Sequence, residues 1–272
     1  MDRRNSYVGD QTLNQGFLEN IYSQNGEDGV IKELLARIQK VHALAQYVVE
    51  FGAWDGMHLS NTFALVRQGF NAVYIEGDKE KYSDLLDTCT RYANIIPIKK
   101  QVRSCTDFNE DLDSILKNTV IPIDYDVLSI DIDSTDLDIW ESSDYHKPKI
   151  VIIEIDSSFP PGIEKRHTSG MPGSSFTSTL KVGKEKGYTL VCHTGNMIFV
   201  RNEYLASIAL PSRFINDPSL LFNWYWYSLE RQPTLVKIYR RYRALVVRKL
   251  NEAYASNLKA AKKRIKRDFK QS

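Results

Sequence analysis

The sequence predicts an α/β fold: a doubly wound, mostly parallel sheet of seven strands that ends in an antiparallel hairpin. Short β-branched and apolar runs alternate with segments of helical periodicity as far as Asp156, which is typical of parallel strands joined by right-handed crossovers. The last two predicted strands, 188–193 and 197–200, are separated only by Thr194-Gly195-Asn196. So short a connection joins antiparallel neighbours, which predicts the hairpin.

The five parallel strands are predicted where short apolar runs end at glycine or at acidic residues. Each run has the length and composition of a strand that is buried on both faces of a sheet. Pro97 cannot donate a ladder hydrogen bond, so the third strand is expected at an edge or at a strand end. The predicted strands are 47–51, 72–75, 95–98, 125–130 and 150–153.

Helices are predicted between these strands from apolar residues spaced three and four apart. The first core helix is expected to use Asn25 or Glu27 as its cap. Its apolar face comprises Val30, Ile31, Leu34, Leu35 and Ile38. Further helices are predicted at about 61–67, 80–92, 108–116 and 176–186.

The composition is that of an ordinary globular protein, with 42% hydrophobic and 26% charged residues. The three cysteines are odd in number and widely spaced, which suits neither a disulfide framework nor a metal site. No stretch approaches the roughly 20 apolar residues that span a bilayer, and the start of the chain does not resemble a secretory signal. We therefore expect a cytoplasmic protein.

Charge is distributed unevenly along the chain. Residues 237–272, called the basic tail below, contain thirteen Lys and Arg against two acids, a net charge of +11, whereas the rest of the chain carries −9. We predict an N-terminal arm at 1–21, one α/β domain at 22–212 and a basic helical extension at 213–272. The basic tail is open to three interpretations: a solvated helix, attachment to an anionic membrane surface, or nucleic-acid binding. The last is the least favoured, because no RNA-binding module signature is present.

Polar residues follow the predicted strands at the edge where open α/β sheets bind their ligands. The first strand runs into Glu50-Phe-Gly52-Ala-Trp-Asp55-Gly56, whose glycines allow a tight turn against a ligand. The second strand ends at Glu76, a carboxylate that can accept both hydroxyls of a ribose. No G-x-G-x-x-G motif is present to seat a pyrophosphate. S-adenosylmethionine (SAM), which has ribose and adenine but no phosphate, fits this pattern better than a dinucleotide.

These motifs, with the terminal hairpin, resemble those of class I SAM-dependent methyltransferases, which have a Rossmann-like fold. More narrowly, Asp126-Val-Leu-Ser-Ile-Asp131-Ile-Asp133-Ser-Thr-Asp136 and Gly187-Tyr … Gly195-Asn-Met-Ile-Phe-Val200 resemble the FkbM-type methyltransferases. That family includes enzymes that O-methylate sugars and polyketide-like metabolites. The resemblance covers about residues 22–202. This chain has Asp131-Ile-Asp133-Ser where the family usually has Asp-x-Glu-Gly.

The resemblance implies a set of cofactor-binding residues. The glycine-containing turn would line the methionine end of SAM, Glu76 would hold the ribose with help from Asp78, and the Ser104-Cys105 turn would border the adenine. The segment 23–28 is expected either to close over the cofactor or to cap the first core helix. The complete set expected to bind the cofactor is Glu50, Gly52, Ala53, Asp55, Gly56, Glu76, Gly77, Asp78, Ser104 and Cys105.

Methyl transfer requires positioning of the reactants and sometimes a base. Asp131 and Asp133 point the same way from the fourth strand, as do Glu154 and Asp156 from the fifth. Clustered acids repel unless they are protonated, paired or neutralised by a cation, and oxygen ligands favour Mg²⁺ or Ca²⁺. The predicted metal ligands are Asp131, Asp133 and Asp156.

Asp131 and Asp133 are also candidate catalytic residues, and His167 and His193 are rival bases. A lone histidine is structural more often than catalytic. His167 belongs to a long loop, 157–175, that we expect to act as a lid over the acceptor.

The expected function is SAM-dependent O-methylation of a sugar hydroxyl, on a small molecule, a glycan or a glycoconjugate. Two alternatives are open: a nucleic-acid methyltransferase that uses the basic tail, and a non-catalytic scaffold or peripheral membrane protein with the same fold.

Overall fold

The computed structural model describes residues 13–104 and 110–230, and a seven-stranded sheet lies at its centre. The strand order is β3-β2-β1-β4-β5-β7-β6, with β1 to β5 parallel and β7 antiparallel to both of its neighbours. This confirms the predicted doubly wound sheet and its terminal hairpin. The strands are β1 Tyr47–Phe51, β2 Asn71–Glu76, β3 Ile95–Lys99, β4 Val127–Ile130, β5 Ile150–Glu154, β6 Tyr188–His193 and β7 Asn196–Arg201.

Helices lie between the strands, as the alternating pattern predicts. The predicted helix at 61–67 forms only over Phe63–Val66, and the helix that begins at Asp136 was not predicted, because its seven residues are crowded with acids. The helices are α1 Leu13–Gly16, α2 Glu27–Gln39, α3 Phe63–Val66, α4 Lys79–Cys89, α5 Leu112–Lys117, α6 Asp136–Ser142, α7 Phe176–Glu185, α8 Leu205–Ile208, α9 Ser212–Asn216 and α10 Trp224–Glu230.

Both faces of the sheet are covered by apolar side chains. One core cluster contains Trp140 and Phe176 together with Val49 and Phe51 of β1, and the other contains the apolar residues of α2 together with Val48. The alternation of β1 residues between the two faces is the two-residue period of a strand. β3 lies at an edge of the sheet, as predicted. Pro97 has no N–H to donate, and at an edge there is no second neighbouring strand that would need that hydrogen bond.

The start of α2 is built differently from the sequence prediction. Its N-cap is Gly26 at φ 99°, with no side-chain cap, so the capping roles predicted for Asn25 and Glu27 are wrong. Asp28 instead accepts hydrogen bonds from the backbone N–H groups of three residues of the preceding loop and from the Ser23 hydroxyl, all on Oδ2. This carboxylate therefore folds the loop back onto the helix.

Residues beyond the predicted boundaries of the α/β domain contribute to its core. Leu13 is buried in the cluster that covers α2, and Phe214, Leu221 and Phe222 are buried beside Phe176. The predicted domain boundaries stay predictions. Residues 1–12, 105–109 and 231–272 lie outside the described part of the chain, and with them most of the arm, Cys105 and the basic tail. Within the described ranges, no helix combines the length and the apolar character needed to cross a membrane.

The amino edge of the sheet is held by a buried ion pair. Lys149, 1% exposed, places its Nζ 3.2 Å from Oδ1 of the wholly buried Asp126, whose carboxylate also accepts hydrogen bonds from the N–H groups of Ala45 and Tyr47. Asp124 offers the ammonium a second carboxylate at 3.1 Å. The pair therefore joins the starts of β1, β4 and β5.

We expect Asp126→Ala to lower the free energy of unfolding by about 3 kcal/mol, because it removes one partner of a buried ion pair. Urea unfolding followed by circular dichroism measures the change. Glu19→Ala is the control, since Glu19 pairs with Lys32 at the surface and should change stability by less than about 1 kcal/mol. Equal effects of the two variants would contradict the structural role of Asp126.

Candidate active site

From β1 the chain adds β2 and β3 on one side of the sheet and then returns to add β4 and β5 on the other side. The direction in which strands are added therefore reverses between β1 and β4. In open α/β sheets the crevice outside this switch point, at the carboxyl ends of the strands, is where ligands bind. The segments that follow β1, β2, β4 and β5 meet at this edge, so the polar strand ends singled out in the sequence are brought together.

The turn after β1 lies against the loop after β4. Gly52 has φ 75°, and a Cβ on it would lie 1.9 Å from the carbonyl oxygen of Asp131. The N–H groups of Gly52 and Ala53 donate to the carbonyl of Ile75 on β2, at 3.1 and 3.3 Å. Glycine is therefore required at position 52 both by the backbone conformation and by the close approach of the neighbouring loop.

Glu76 holds the turn after β1 and the start of the next loop with one carboxylate. Its Oε2 accepts a hydrogen bond from Trp54 N–H at 2.9 Å, and its Oε1 accepts one from Asp78 N–H at 2.8 Å. The side chain is buried, with 6% of the residue exposed. Each carboxylate oxygen has a second lone pair, so Glu76 keeps acceptor capacity for a ligand hydroxyl.

The carboxylates of Asp55 and Asp78 shape local backbone. Asp55 Oδ1 accepts from the N–H groups of Met57 and His58, and Asp78 Oδ1 accepts from the first N–H groups of α4 as its N-cap. Gly77 and Ser104 are exposed beside them, and Cys105 is not among the described residues. The cofactor contacts expected of these residues stay predictions.

Glu50 lies in a buried polar network on one face of the sheet. Its Oε2 accepts hydrogen bonds from the Ser60 hydroxyl at 2.8 Å and from the hydroxyl and N–H of Thr62 at 2.5 and 3.2 Å. Burial disfavours the charged form and raises the pKa of Glu50 to about 7. The carboxylate thus fixes the loop before α3, and its predicted contact with the methionine end of a cofactor stays a prediction.

Three carboxylates converge where β4 and β5 end. One ligand oxygen each from Asp131, Asp133 and Glu154 lies within 4.8 Å of the others, a spacing that would suit a metal ion. Burial, followed by repulsion from neighbouring acids, raises the pKa values of both Asp131 and Glu154. We call these three residues the acidic cluster.

Asp156 lies outside the acidic cluster, whose third carboxylate is that of Glu154, and the role of Asp156 as a metal ligand stays a prediction. The chain leaves the strand after Glu154, and Asp156 N–H donates to the Ser174 carbonyl at 2.9 Å. The Asp156 carboxylate accepts hydrogen bonds from Ser158 and lies 3.5 Å from Lys165 Nζ. The two-residue alternation that places 154 and 156 on one side holds only inside a strand.

Asp136 shapes the loop that carries the acidic cluster. Its carboxylate accepts hydrogen bonds from Ile132 N–H and Ser134 N–H, both at 2.8 Å, and places Asp133 between them at φ 58°. The Ser134 carbonyl in turn accepts a hydrogen bond from Gly173 N–H. The loop after β4 is therefore tied to the far end of loop 157–175.

His193 is enclosed and engaged on both ring nitrogens. Nδ1 accepts a hydrogen bond from Asn223 N–H at 2.9 Å, so Nε2 carries the proton and donates to Ser157 Oγ at 3.0 Å. Its ring stacks on Phe222, and burial lowers the pKa of His193 to about 3. The structure thus favours a structural role for His193, and its role as a base stays a prediction.

Loop 157–175, the predicted lid, is anchored at two basic residues. Lys165 is buried and donates to the carbonyls of Pro172 and Gly173 at 2.5 and 3.0 Å, which closes the loop on itself. Arg166 forms hydrogen bonds with carboxylates of Asp138 and Glu141 on α6. His167 follows directly and is half-buried, with no hydrogen-bond partner on Nδ1. Its role as a base stays a prediction.

Segment 23–28 reaches the carboxyl edge through Glu27. This wholly buried carboxylate accepts hydrogen bonds from the Thr194 hydroxyl at 2.7 Å and the Asn196 amide at 3.3 Å. Burial raises the pKa of Glu27. Asn196 is the register partner of Glu154, so the segment lies next to the acidic cluster. Its closure over a cofactor stays a prediction.

Several residues that shape the site were not predicted from the sequence. Glu154 and Asp156 could not be told apart, because the point at which the strand ends decides which one faces the cluster. Lys165 carries no motif, and its burial becomes visible only in the folded loop. Thr62 lies in the segment predicted to be helical and Ser60 directly before it, yet both precede the observed helix and bind Glu50.

No protein-family model matches the chain, and no curated protein matches it. Solved structures do resemble it, among them SAM-dependent methyltransferases. One from Aquifex aeolicus has a TM-score of 0.36 and 12% identity over 62% of this chain and 86% of that one. One from Clostridium acetobutylicum has a TM-score of 0.38 and 8% identity over 65% of this chain and 92% of that one.

The CMeT domain of the citrinin polyketide synthase is a further structural neighbour, with a TM-score of 0.42 and 12% identity. The match covers 67% of this chain and 55% of that one, so this chain spans about half of its length. Such values describe a similarity of fold, and the function has to be argued from the site itself.

We expect Asp133→Asn to raise the free energy of unfolding by roughly 1 kcal/mol in buffer containing EDTA, because it removes one like charge from a group spaced at about 4–5 Å. Asparagine also tolerates the positive φ at this position. Urea unfolding measures the change. Asp87→Asn, at an exposed acid of α4, should leave stability unchanged. Loss of stability in Asp133→Asn would show that the cluster is not self-repelling.

Proposed function

We propose that the protein is a SAM-dependent methyltransferase that transfers a methyl group to a sugar hydroxyl. The observation that carries this proposal is the buried Glu76, placed at the end of β2 and bonded to the turn that follows β1. At the switch point of an open sheet this carboxylate would accept the two hydroxyls of a ribose. The turn it holds contains Gly52, whose lack of a side chain lets the loop after β4 lie directly against the turn.

The charges of the site suit SAM better than a nucleotide with phosphates. SAM supplies an electrophilic methyl group on a positively charged sulfonium. The acidic cluster would favour such a cation electrostatically, and it would repel a pyrophosphate at the same place. The donor set therefore fits the ribose and the sulfonium of SAM, with Glu76 at the first and the acidic cluster on the side of the second.

We assign Asp131 as the general base that takes the proton of the acceptor hydroxyl. It lies in the acidic cluster beside Glu154, and the two pKa values are raised by burial and by repulsion from neighbouring acids. A carboxylate of raised pKa is a better base for a hydroxyl proton. The neighbouring carboxylates of the acidic cluster would then hold that proton by hydrogen bonds. Loop 157–175 ends against this cluster through Gly173 and Ser134, so it would enclose the acceptor.

The sugar acceptor is supported by the resemblance to FkbM-type methyltransferases at residues 126–136 and 187–200. A divalent cation is a second component of the proposal. The three oxygens of the acidic cluster are hard ligands at a spacing that suits Mg²⁺. Such an ion would neutralise the cluster and orient an acceptor hydroxyl beside Asp131.

The cofactor assignment predicts that SAM and S-adenosylhomocysteine bind the protein in calorimetric titrations. Glu76→Gln should weaken both about tenfold or more, because charge-assisted hydrogen bonds to the ribose are lost. Glu80→Gln is the control, an exposed acid in the first turn of α4, and should bind like the wild type. Circular dichroism checks folding, since Glu76 also holds two backbone N–H groups. Failure of the folded wild-type protein to bind either ligand would contradict the proposal.

The acceptor assignment predicts transfer of radiolabelled methyl from SAM to saccharides that offer a free hydroxyl. Asp131→Asn should lower kcat about 100-fold or more, the usual contribution of a general base, with little change in the KM for SAM. Asp87→Asn is the control for a generic loss of charge. Undiminished kcat in Asp131→Asn would contradict its role as the base.

The same assay, after treatment with EDTA, tests for the metal. If the acidic cluster holds Mg²⁺, activity should fall and should return when Mg²⁺ is added, and Asp133→Asn should raise the Mg²⁺ concentration required. Full activity in EDTA would remove the ion from the proposal and leave the SAM assignment intact.

A further inference from the structure

The hydroxyl of Ser174, near the end of loop 157–175, is buried without a hydrogen-bond partner. Only 3% of the residue is exposed, and its Oγ forms no hydrogen bond within the part of the chain that the structure describes. The adjacent Ser175 is also buried, yet its Oγ donates to the Ile163 carbonyl at 2.7 Å and accepts from Lys165 N–H at 3.0 Å. A buried hydroxyl that makes no hydrogen bond costs stability, which indicates a partner that arrives with a ligand.

The backbone places Ser174 between the two segments that follow β4 and β5. Its carbonyl accepts a hydrogen bond from Asp156 N–H, after β5, at 2.9 Å. The N–H of the preceding residue, Gly173, donates to the carbonyl of Ser134, in the loop after β4, at 3.3 Å. The acidic cluster is carried by the same two segments, so the unpartnered hydroxyl lies close to it at the carboxyl edge of the sheet.

The contacts that hold Ser174 in place do not use its hydroxyl. On one side Lys165 Nζ donates to the Gly173 carbonyl at 3.0 Å. On the other side Ser175 is the N-cap of α7. The hydroxyl of Ser174 therefore has no structural role among these contacts, and a role in binding explains its presence.

Ser174 lies on the acceptor side of the proposed site. Glu76 ends β2, whereas Ser174 is bonded to the segment after β5, and the strand order between them is β2-β1-β4-β5. Three strand spacings of about 4.8 Å separate the two positions, roughly 14 Å in all. With the ribose at Glu76, a ligand at Ser174 would be the methyl acceptor and not the nucleoside.

We infer that the Ser174 hydroxyl binds a hydroxyl group of the sugar acceptor. The inference rests on the proposed function, because it concerns the acceptor of that same site. A serine hydroxyl both donates and accepts hydrogen bonds, as a sugar hydroxyl does, so the two can pair in either direction. Ser174 would hold one hydroxyl of the sugar while Asp131 takes the proton from the hydroxyl that is methylated.

The first arm of the experiment measures the stability of the protein without ligands. Ser174→Ala removes an unpartnered hydroxyl and should raise the folding equilibrium constant about fivefold, whereas Ser175→Ala removes the N-cap of α7 and should lower it about fivefold. Urea unfolding followed by circular dichroism gives both values. A loss of stability in Ser174→Ala as large as that in Ser175→Ala would show that the hydroxyl is structural, and would overturn the inference.

The second arm measures methyl transfer from SAM to the methyl glycosides of glucose, galactose and mannose. Ser174→Ala should raise the KM for the sugar about fivefold, with less than about a twofold change in kcat and in the KM for SAM. Ser169→Ala, at an exposed serine of the same loop, is the control and should behave like the wild type. An unchanged KM for the sugar would overturn the inference. So would a higher Mg²⁺ requirement without a higher KM for the sugar, since Ser174 would then act on the cation.

Deoxy sugars identify the hydroxyl that pairs with Ser174. For the wild type, the analogue that lacks this hydroxyl should have a KM about fivefold higher, and Ser174→Ala should raise that KM no further. Multiplicative effects of the variant and of every deoxy analogue would overturn the inference.

Failure of the inference and failure of the proposed function give different results. If folded wild-type protein binds SAM but methylates none of the sugars, the sugar acceptor of the proposed function is wrong, and the inference falls with it. If the wild type is active and Ser174→Ala has the same KM for the sugar, the inference alone is contradicted.

Discussion

The contact between Gly52 and the backbone of Asp131 determines how closely the loops after β1 and β4 can lie. Any side chain at position 52 would meet the Asp131 carbonyl oxygen, at 1.9 Å for a Cβ. Because β1 and β4 flank the switch point of the sheet, this contact also brings the glycine turn and the loop of the acidic cluster together at the edge where open α/β sheets bind their ligands. The remaining parts of the site are arranged around that approach.

Most of the acidic residues at this edge hold loops and the ends of secondary-structure elements together. Glu76 joins two loops, Asp136 shapes the loop after β4, and Glu27 attaches the start of α2 to the terminal hairpin. Carboxylates that accept several N–H or O–H groups are stabilised where they would otherwise be costly to bury. The acidic cluster is the exception, since its carboxylates face one another; burial, followed by repulsion from neighbouring acids, raises the pKa values of Asp131 and Glu154. A cation or a shared proton would relieve this repulsion between the carboxylates.

The fold was largely predictable because its determinants are local. Apolar runs such as Tyr47–Phe51 end at glycine or acid, and a two-residue link between β6 and β7 dictates a hairpin. The site was predictable only in part, because its details depend on where strands end and loops turn. For that reason Glu154, and not Asp156, lies in the acidic cluster. Lys165 is buried by a loop whose course no local sequence pattern predicts. His193 shows the same limit: the contacts that enclose it come from Ser157 and Asn223, both distant in sequence.

The most direct test of the account is a crystal structure of the protein with S-adenosylhomocysteine. The account predicts that the ribose hydroxyls lie within hydrogen-bond distance of the Glu76 carboxylate, with the sulfur on the side of the acidic cluster. A ligand bound elsewhere, or a Glu76 carboxylate that contacts only Trp54 and Asp78 while the ligand is bound, would contradict it.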